Sequence, residues 1–229
     1  KQVAPQMEVH LSTQLSITNS ESMRFYRELG VDRVVLAREL RLDTIEHIIE
    51  QAVLPVEVFI HGGMCVNYSG RCTLSNEMTL RDANRGGCAQ SCRWSYDLHI
   101  AGEKVSPSTV PFSMGSKDLM ALGSIETMMK IGVTSLKIEG RMKSAYYIGV
   151  IVRAYRLWID AIASENNTPV LYNAIINELK QAESRPTFDG FLTSMPDYNG
   201  QLYHPKEEGV VRNFVGNVLE RKDERILVE

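Results

Sequence analysis

The sequence has no long apolar run, little excess charge of either sign, and no cysteine outside one short segment. No stretch reaches the roughly 18 apolar residues that a membrane-spanning helix needs, and the start, Lys1 to Pro5, lacks the apolar centre of a signal peptide. A formal net charge of −3 argues against a strongly basic nucleic-acid-binding protein, although a local basic patch is compatible with it. We therefore expect a cytoplasmic protein without membrane contact.

Strands and helices alternate through the first part of the chain. Such strand–helix repeats imply an α/β fold with a parallel sheet and right-handed crossovers. The predicted strands are 8–12, 33–37, 56–61, 111–114 and 135–139. The predicted helices are 20–29, 43–52, 117–131, 144–164 and 169–182.

Two segments interrupt this alternation. Residues 62–105 have little helical periodicity and end in a predicted hairpin, 96–100 with 103–105; a long loop inside a compact domain is usually functional. A segment rich in Pro and Gly begins at Pro186, and two strands are predicted around Lys222. We expect a main domain at 1–185, a linker at 186–207 and the start of a small β domain at 208–229.

Polar side chains are predicted to converge on one face of the sheet. Because side chains alternate along a strand, Glu57, Phe59 and His61 share a face, as do Lys137 and Glu139. Ionised groups are costly to bury unless they are paired, so this set indicates either a site or paired charges inside a barrel. In the first case, His61, Glu57 and Glu139 are candidates for proton transfer or substrate orientation.

Basic residues cluster where the last predicted strand leads into a helix. Lys137, Arg141 and Lys143 surround the turn at Gly140, and a strand end followed by a helix N-terminus is typical of anion sites. A solvated basic loop is the alternative. With Arg85, these residues are the predicted ligands of a small anionic co-substrate or of RNA phosphate.

All four cysteines, Cys65, Cys72, Cys88 and Cys92, lie in the predicted loop. Their grouping suits an iron–sulfur cluster or zinc, and the wide first spacing favours the larger cluster over zinc, whose ligands come in short pairs. Unliganded or redox-active thiols are the third alternative. Four arginines in the same loop would lower the pKa values of the thiols: Arg71, Arg81, Arg85 and Arg93.

Four motifs resemble those of the collagenase-like peptidase family U32. They lie at 57–75, 84–93, 114–119 and 136–144, and Val215, Gly216 and Val218 resemble the start of the family's C-terminal β domain. The resemblance implies a TIM-like (β/α)8 barrel and a 4Fe–4S cluster on the four cysteines. The short spacing between Cys88 and Cys92 resembles that of the family branch that hydroxylates the wobble uridine of tRNA, with prephenate as oxygen donor. Another branch of the family acts on ribosomal RNA.

The resemblance also implies that this chain is only part of such a barrel. An eight-stranded barrel needs roughly 250 residues, so we expect the C-terminal part of one, about five βα units, with open edges that favour homo-oligomers. An RNA-modifying enzyme is the first functional interpretation. A U32-type peptidase, for which the sequence has no recognisable catalytic motif, and a non-catalytic metal-binding or assembly module are the alternatives.

Overall fold

The computed structural model describes residues 3–51, 53–107, 112–141, 143–182, 185–202, 218–223 and 225–228. Strands and helices alternate along the main part of the chain, which confirms the predicted α/β class. The strands are β1 (His10–Leu11), β2 (Arg33–Val35), β3 (Val56–Gly62), β4 (His99–Ile100), β5 (Glu103–Lys104), β6 (Asp118–Met120), β7 (Ser135–Ile138), β8 (Thr187–Phe188), β9 (Val218–Lys222) and β10 (Arg225–Val228). The α-helices are α1 (Ser20–Glu28), α2 (Leu42–Glu50), α3 (Leu74–Thr79), α4 (Ile125–Ile131), α5 (Ala145–Ala163) and α6 (Pro169–Ala182).

The main sheet is built around β3. Strands β1, β2 and β3 pair in parallel, and β7 runs parallel to β3 as well. Strand β6 runs antiparallel to the end of β3 and pairs in parallel with β8. A (β/α)8 barrel is made of parallel strands alone, so β6 departs from the predicted barrel. Six of the described strands, β1, β2, β3, β6, β7 and β8, form one open mixed sheet, and the described residues contain no closed barrel.

Every residue of β3 is buried, which makes it the centre of the core. Helix α5 contributes a buried stripe that includes Tyr147, Ile151 and Tyr155, and it packs against α6 and α4. The side chain of Ser144 caps α5 by accepting a hydrogen bond from the Tyr147 amide at 3.1 Å, which satisfies one of the unpaired donors at a helix start. The polar side chains of β3 are therefore held between well-packed elements.

The segment from 111 to 131 folds differently from the prediction. Pro111 lies outside the described residues, and Phe112 forms only an isolated bridge with Tyr96. The strand is instead β6, inside the predicted helix, and α4 begins only at Ile125 after a 3-10 turn. Strand β6 forms because β3 and β8, both distant in sequence, offer it backbone partners, and such tertiary pairing overrides local helical preference.

The predicted linker joins the main sheet in its described part. Strand β8 lies within it, and the Lys117 amide donates to the Gly200 carbonyl at 3.0 Å. Residues 203–217 lie outside the described residues, including Val215 and Gly216 of the predicted β domain. Strands β9 and β10 form an antiparallel hairpin, as do β4 and β5, and both hairpins confirm their predictions. No helix of the described residues is long and apolar enough to cross a membrane.

Candidate functional site

The cysteine loop, residues 62–105, starts at the end of β3 and contains the short helix α3. Cys65 is exposed, whereas Cys72, Cys88 and Cys92 are half-buried, and all four are free thiols. Cys72 lies just before α3, and Cys92 lies in a 3-10 turn, Ser91–Arg93. The four thiols span 27 positions of the sequence, and all of them lie in this one loop.

The thiols lie close enough to influence one another electrostatically. Although Cys65 as a whole residue is exposed, the protein atoms packed around its thiol desolvate the sulfur and raise its pKa. The neighbouring Cys88 and Cys72 raise this pKa further, while Arg38 and Arg93 oppose the shift. The pKa of Cys92 is raised in the same way by burial and by the other three cysteines, with Arg93 opposing. Sequence reasoning expected lowered pKa values; it did not account for the desolvation of the loop, and Arg38 lies outside it.

The chemistry of the loop fits a four-thiolate centre. Four sulfur donors come from one segment, and the Gln90 amide points at Cys88 Sγ at 3.3 Å, as amides do around sulfur-ligated centres. A Cβ on Gly87 would lie 3.0 Å from the Asp82 carbonyl oxygen, so a larger residue there would push these two backbone segments slightly apart. Among the described side chains, no three His, Cys, Asp or Glu residues meet at the distances of a single bound ion. The fit therefore rests on the donor set.

Asp118 is the centre of a buried charge cluster beside this loop. Its carboxylate lies 3.0 Å from Arg93 Nη1, 3.4 Å from Lys143 Nζ and 3.1 Å from Arg185 Nη1. Burial would raise the pKa of this carboxyl, but the three cations hold it below its usual value. Arg93 also donates to the Met64 carbonyl at 2.9 Å. Because Arg93 follows Cys92 and Met64 precedes Cys65, this side chain connects both cysteine positions to Asp118 of the sheet.

The sequence did not predict Asp118 as a site residue, nor its ion pairs with Arg93 and Arg185. Asp118 lies within a segment that resembles a family motif, but the predicted helix gave it no partner. The signal that was available is an acidic residue in an otherwise apolar run, Asp118 to Leu122. A buried carboxylate needs a cation, and the nearest ones come from three separate segments.

His61 is buried away from the predicted proton-transfer cluster. Its Nδ1 lies 3.2 Å from the Tyr155 hydroxyl, which in turn donates to the Ile60 carbonyl at 2.9 Å. Its Nε2 is buried without a hydrogen-bond partner among the described residues. Burial lowers the pKa of His61 to about 4; Asp118 opposes this shift and Lys143 adds to it. His61 is thus neutral near pH 7.

Glu57 and Lys137 meet as predicted on one face of the sheet. Lys137 Nζ lies 2.7 Å from Glu57 Oε1, and Ser135 donates to Oε2 at 3.0 Å. Burial would raise the pKa of Glu57, but Lys137, Ser135 and Arg33 together hold it below its usual value. The Glu57 carboxylate is therefore ionised at neutral pH and positions Lys137, whose side chain is 41% exposed.

The remaining predicted site residues lie between these clusters. Glu139 Oε2 accepts a hydrogen bond from the Gly63 amide at 3.3 Å. Exposed Arg141 donates to the Gly86 carbonyl at 2.8 Å, next to exposed Arg85 in the cysteine loop. Lys143 pairs with Asp118 and lies 4.7 Å from the Tyr147 ring centre. The predicted cations thus touch the cysteine loop and the sheet, but each contacts a separate protein group.

A cavity of about 280 Å³ opens beside Cys65. Its lining combines side chains of the segment after β2, the start of the cysteine loop and the segment after β8. The guanidinium of Arg38 lies 4.1 Å from the Phe59 ring centre and donates to the Gly63 carbonyl. The lining residues are Arg38, Glu39, Met64, Cys65, Val66, Asn67, Tyr68 and Phe191.

Comparison with known proteins identifies similar sequences. The family description "Peptidase family U32" matches residues 1–202. The tRNA hydroxylation protein P1 of Bacillus subtilis is 43% identical over 237 residues, covering 100% of this chain and 55% of that protein. A 23S rRNA 5-hydroxycytidine synthase of Escherichia coli is 42% identical over 162 residues, covering 70% of this chain and 24% of that protein.

A protein named Collagenase, from Porphyromonas gingivalis, is 35% identical over 221 residues, covering 91% of this chain and 53% of that protein. The chain thus spans about half the length of the first of these relatives and of the collagenase. No solved structure matches it.

Proposed function

The chain belongs to peptidase family U32, and from this membership we propose that it is part of an RNA-modifying enzyme that hydroxylates the wobble uridine of tRNA, in the cytoplasm. The observation that carries the proposal is the 43% identity to tRNA hydroxylation protein P1 along the whole chain. The 42% identity to an rRNA 5-hydroxycytidine synthase supports the same type of reaction on RNA. The resemblance of the sequence motifs to the tRNA-hydroxylating branch of the family supports wobble uridine as the modified base and prephenate as the oxygen donor.

In this proposal Cys65, Cys72, Cys88 and Cys92 hold a 4Fe–4S cluster, with zinc as the alternative occupant. The four-sulfur donor set and the mutual influence of the thiols support it. Such a cluster supplies one-electron transfer. Arg93, fixed by Asp118, holds the Met64 carbonyl and so keeps the first ligand in place.

The other residues bind and orient. Lys137, held by Glu57, and Arg33 beside it provide positive charge for the carboxylates of prephenate. Exposed Arg85 and Arg141 provide contacts for RNA phosphates. Glu139 orients the Gly63 amide next to the cysteine loop. His61 is buried and neutral, so in this proposal it supports α5 and the end of β3 and does not touch the substrate.

A U32-type peptidase is the second candidate, favoured by the 35% identity to Collagenase. Among the described residues, the histidine hydrogen bonds go to Glu8 and Tyr155, and none goes to a serine or cysteine. The geometry therefore favours RNA modification over proteolysis.

Two measurements test the proposal. First, the protein prepared without oxygen should contain about four iron atoms per chain and lose them in Cys72→Ser, whereas Ser95→Ala, a change at an exposed residue of the same loop, should keep them. A stoichiometric zinc content without iron would refute the cluster.

Second, mass spectrometry of tRNA from a strain that lacks the gene for this protein should show loss of 5-hydroxyuridine derivatives. The wild-type gene and Ser95→Ala should restore them, and Cys72→Ser should not. Unchanged tRNA would refute RNA hydroxylation at this position. Cleavage of gelatin by the pure protein would support the peptidase instead, and a stable protein partner without either activity would support an assembly module.

A further inference from the structure

We propose that the cavity beside Cys65 receives a single pyrimidine base turned out of its RNA strand; this inference rests on the proposed RNA hydroxylation. Enzymes that modify a base take it out of the stack into a pocket, where its polar edge is hydrogen-bonded and its ring stacks on aromatic or apolar side chains. The cavity combines these features next to the first cysteine of the loop.

The size and the walls of the cavity suit one small aromatic ring. Its volume of about 280 Å³ lies just below the range of roughly 300–1,000 Å³ that is typical of pockets for drug-sized ligands. Two aromatic side chains, Tyr68 and Phe191, and the apolar Met64 and Val66 line it. Tyr68 is 71% exposed, so its ring is available for stacking without any rearrangement of the core.

An unused amide can read the polar edge of a base. The side chain of Asn67 lines the cavity and makes no hydrogen bond to another described residue. A primary amide carries both donors and an acceptor, so it can donate to a pyrimidine carbonyl while it accepts from the ring N–H of uracil or the amino group of cytosine. The hydroxyl of Tyr68, which likewise has no partner among the described residues, offers a further donor.

The charge of the cavity favours a neutral base over a dicarboxylate. Arg38 and Glu39 both line it, so their formal charges cancel. The Arg38 guanidinium is already hydrogen-bonded to the Gly63 carbonyl, and Glu39 accepts hydrogen bonds from the Ser69 amide at 2.7 Å and hydroxyl at 3.1 Å. A dianionic co-substrate would meet the Glu39 carboxylate here, whereas Lys137 and Arg33 offer it positive charge elsewhere.

The test uses a hairpin RNA with one 5-iodouridine in its loop, irradiated in complex with the 229-residue protein. The iodine is at the carbon that the proposed reaction hydroxylates, and irradiation links it to an aromatic side chain in contact. We compare wild type with Tyr68→Ala and Asn67→Ala, and use Tyr198→Ala as the control because Tyr198 is 73% exposed but does not line the cavity. Thermal melts verify that these exposed substitutions leave the fold intact.

We expect the crosslinked peptide to contain Tyr68 or Phe191. Tyr68→Ala should weaken RNA binding, measured by fluorescence anisotropy, by about fivefold or more, because one base–aromatic stack is worth that much. Asn67→Ala should reduce the crosslink yield, and Tyr198→Ala should change neither quantity.

Two results would overturn the inference alone. In the first, RNA binds but the crosslinks lie outside the cavity, and both cavity variants behave as the Tyr198 control does. In the second, calorimetry shows that prephenate binding is lost in Asn67→Ala while RNA binding is kept, which would assign the cavity to the co-substrate. If the wild-type protein binds no RNA, the proposed function fails and the inference fails with it.

Discussion

Replacing His61 should reduce the loss of stability that this protein shows as the pH falls from 6.5 to about 4. The pKa of His61 is about 4 in the folded chain, against an ordinary value of 6.5. Between these values the unfolded chain binds a proton that the folded chain does not, so stability falls as the pH falls from 6.5 to about 4. His61→Gln, which cannot titrate, should flatten that part of the curve.

The expected size of the effect follows from the depth of burial. His61 is 1% exposed, and a proton on its buried Nε2 would find no acceptor among the described residues. Desolvation exceeds the attraction of Asp118, and Lys143 opposes protonation as well. This pKa shift lowers the free energy of unfolding by about 3 kcal/mol between neutral pH and pH 4. That is a substantial share of the roughly 5–15 kcal/mol that stabilises a typical protein.

Urea unfolding at a series of pH values between 4 and 8 measures this effect. The slope of stability against pH is compared, because His61→Gln also changes the stability at neutral pH by altering packing. His47→Gln is the matched control, since His47 has a side chain that is 72% exposed on α2. If His61→Gln and wild type lose stability equally below pH 6.5, or if NMR titration of His61 gives an ordinary pKa, the reasoning is wrong.

Three further outcomes are expected. Asp118→Asn should lower the free energy of unfolding in urea by about 3 kcal/mol, because it removes the buried carboxylate that neutralises three partly buried cations. The exposed pair of Asp160 is worth less than about 1 kcal/mol, so a similar loss in Asp160→Asn would contradict this. Gly62→Ala should destabilise the protein by more than about 1 kcal/mol, because the φ of Gly62 is +109° and a Cβ would lie 2.6 Å from the Glu139 carbonyl oxygen. Gly149→Ala, at an open position of α5, should instead stabilise the protein by roughly 0.5–1 kcal/mol. Equal changes in melting temperature for the two variants would contradict this contrast. Light scattering tests the expected association through open sheet edges, and a mass of one chain would refute it.

Strands with simple alternation and helices with clear ends were predictable from the sequence. Strands β1, β2, β3 and β7 and helices α1, α2, α5 and α6 lie within a few residues of the predicted ranges. The hairpin β4–β5 is equally local: Ala101 and Gly102 both have positive φ, +51° and +88°, as a tight turn between antiparallel strands requires. In each case the residues that determine the element are contained in it.

Elements that depend on distant partners could not be predicted. Strand β6 exists because β3 and β8 pair with it, and β8 lies in a segment whose prolines and glycines indicate a linker. The carboxylate of Asp118 is satisfied by cations from the cysteine loop, from the segment before α5 and from the segment after α6. No local pattern joins these three segments. The charge cluster beside the cysteines is therefore visible only in the fold.

The prediction that His61 shares a face with Glu57 is wrong because β3 contains a β-bulge. Phe59 is paired with Lys137 and His61 with Ile138, so Ile60 is an extra residue in β3. One extra residue reverses the faces of all side chains that follow it. His61 consequently leaves the face of Glu57 and turns towards Tyr155 on α5. Bulges between parallel strands are rare, and no glycine marks this one at Ile60. Strict alternation therefore placed a titratable base next to Glu57 and Lys137, whereas the bulge leaves that face to the ion pair and keeps His61 neutral in the core.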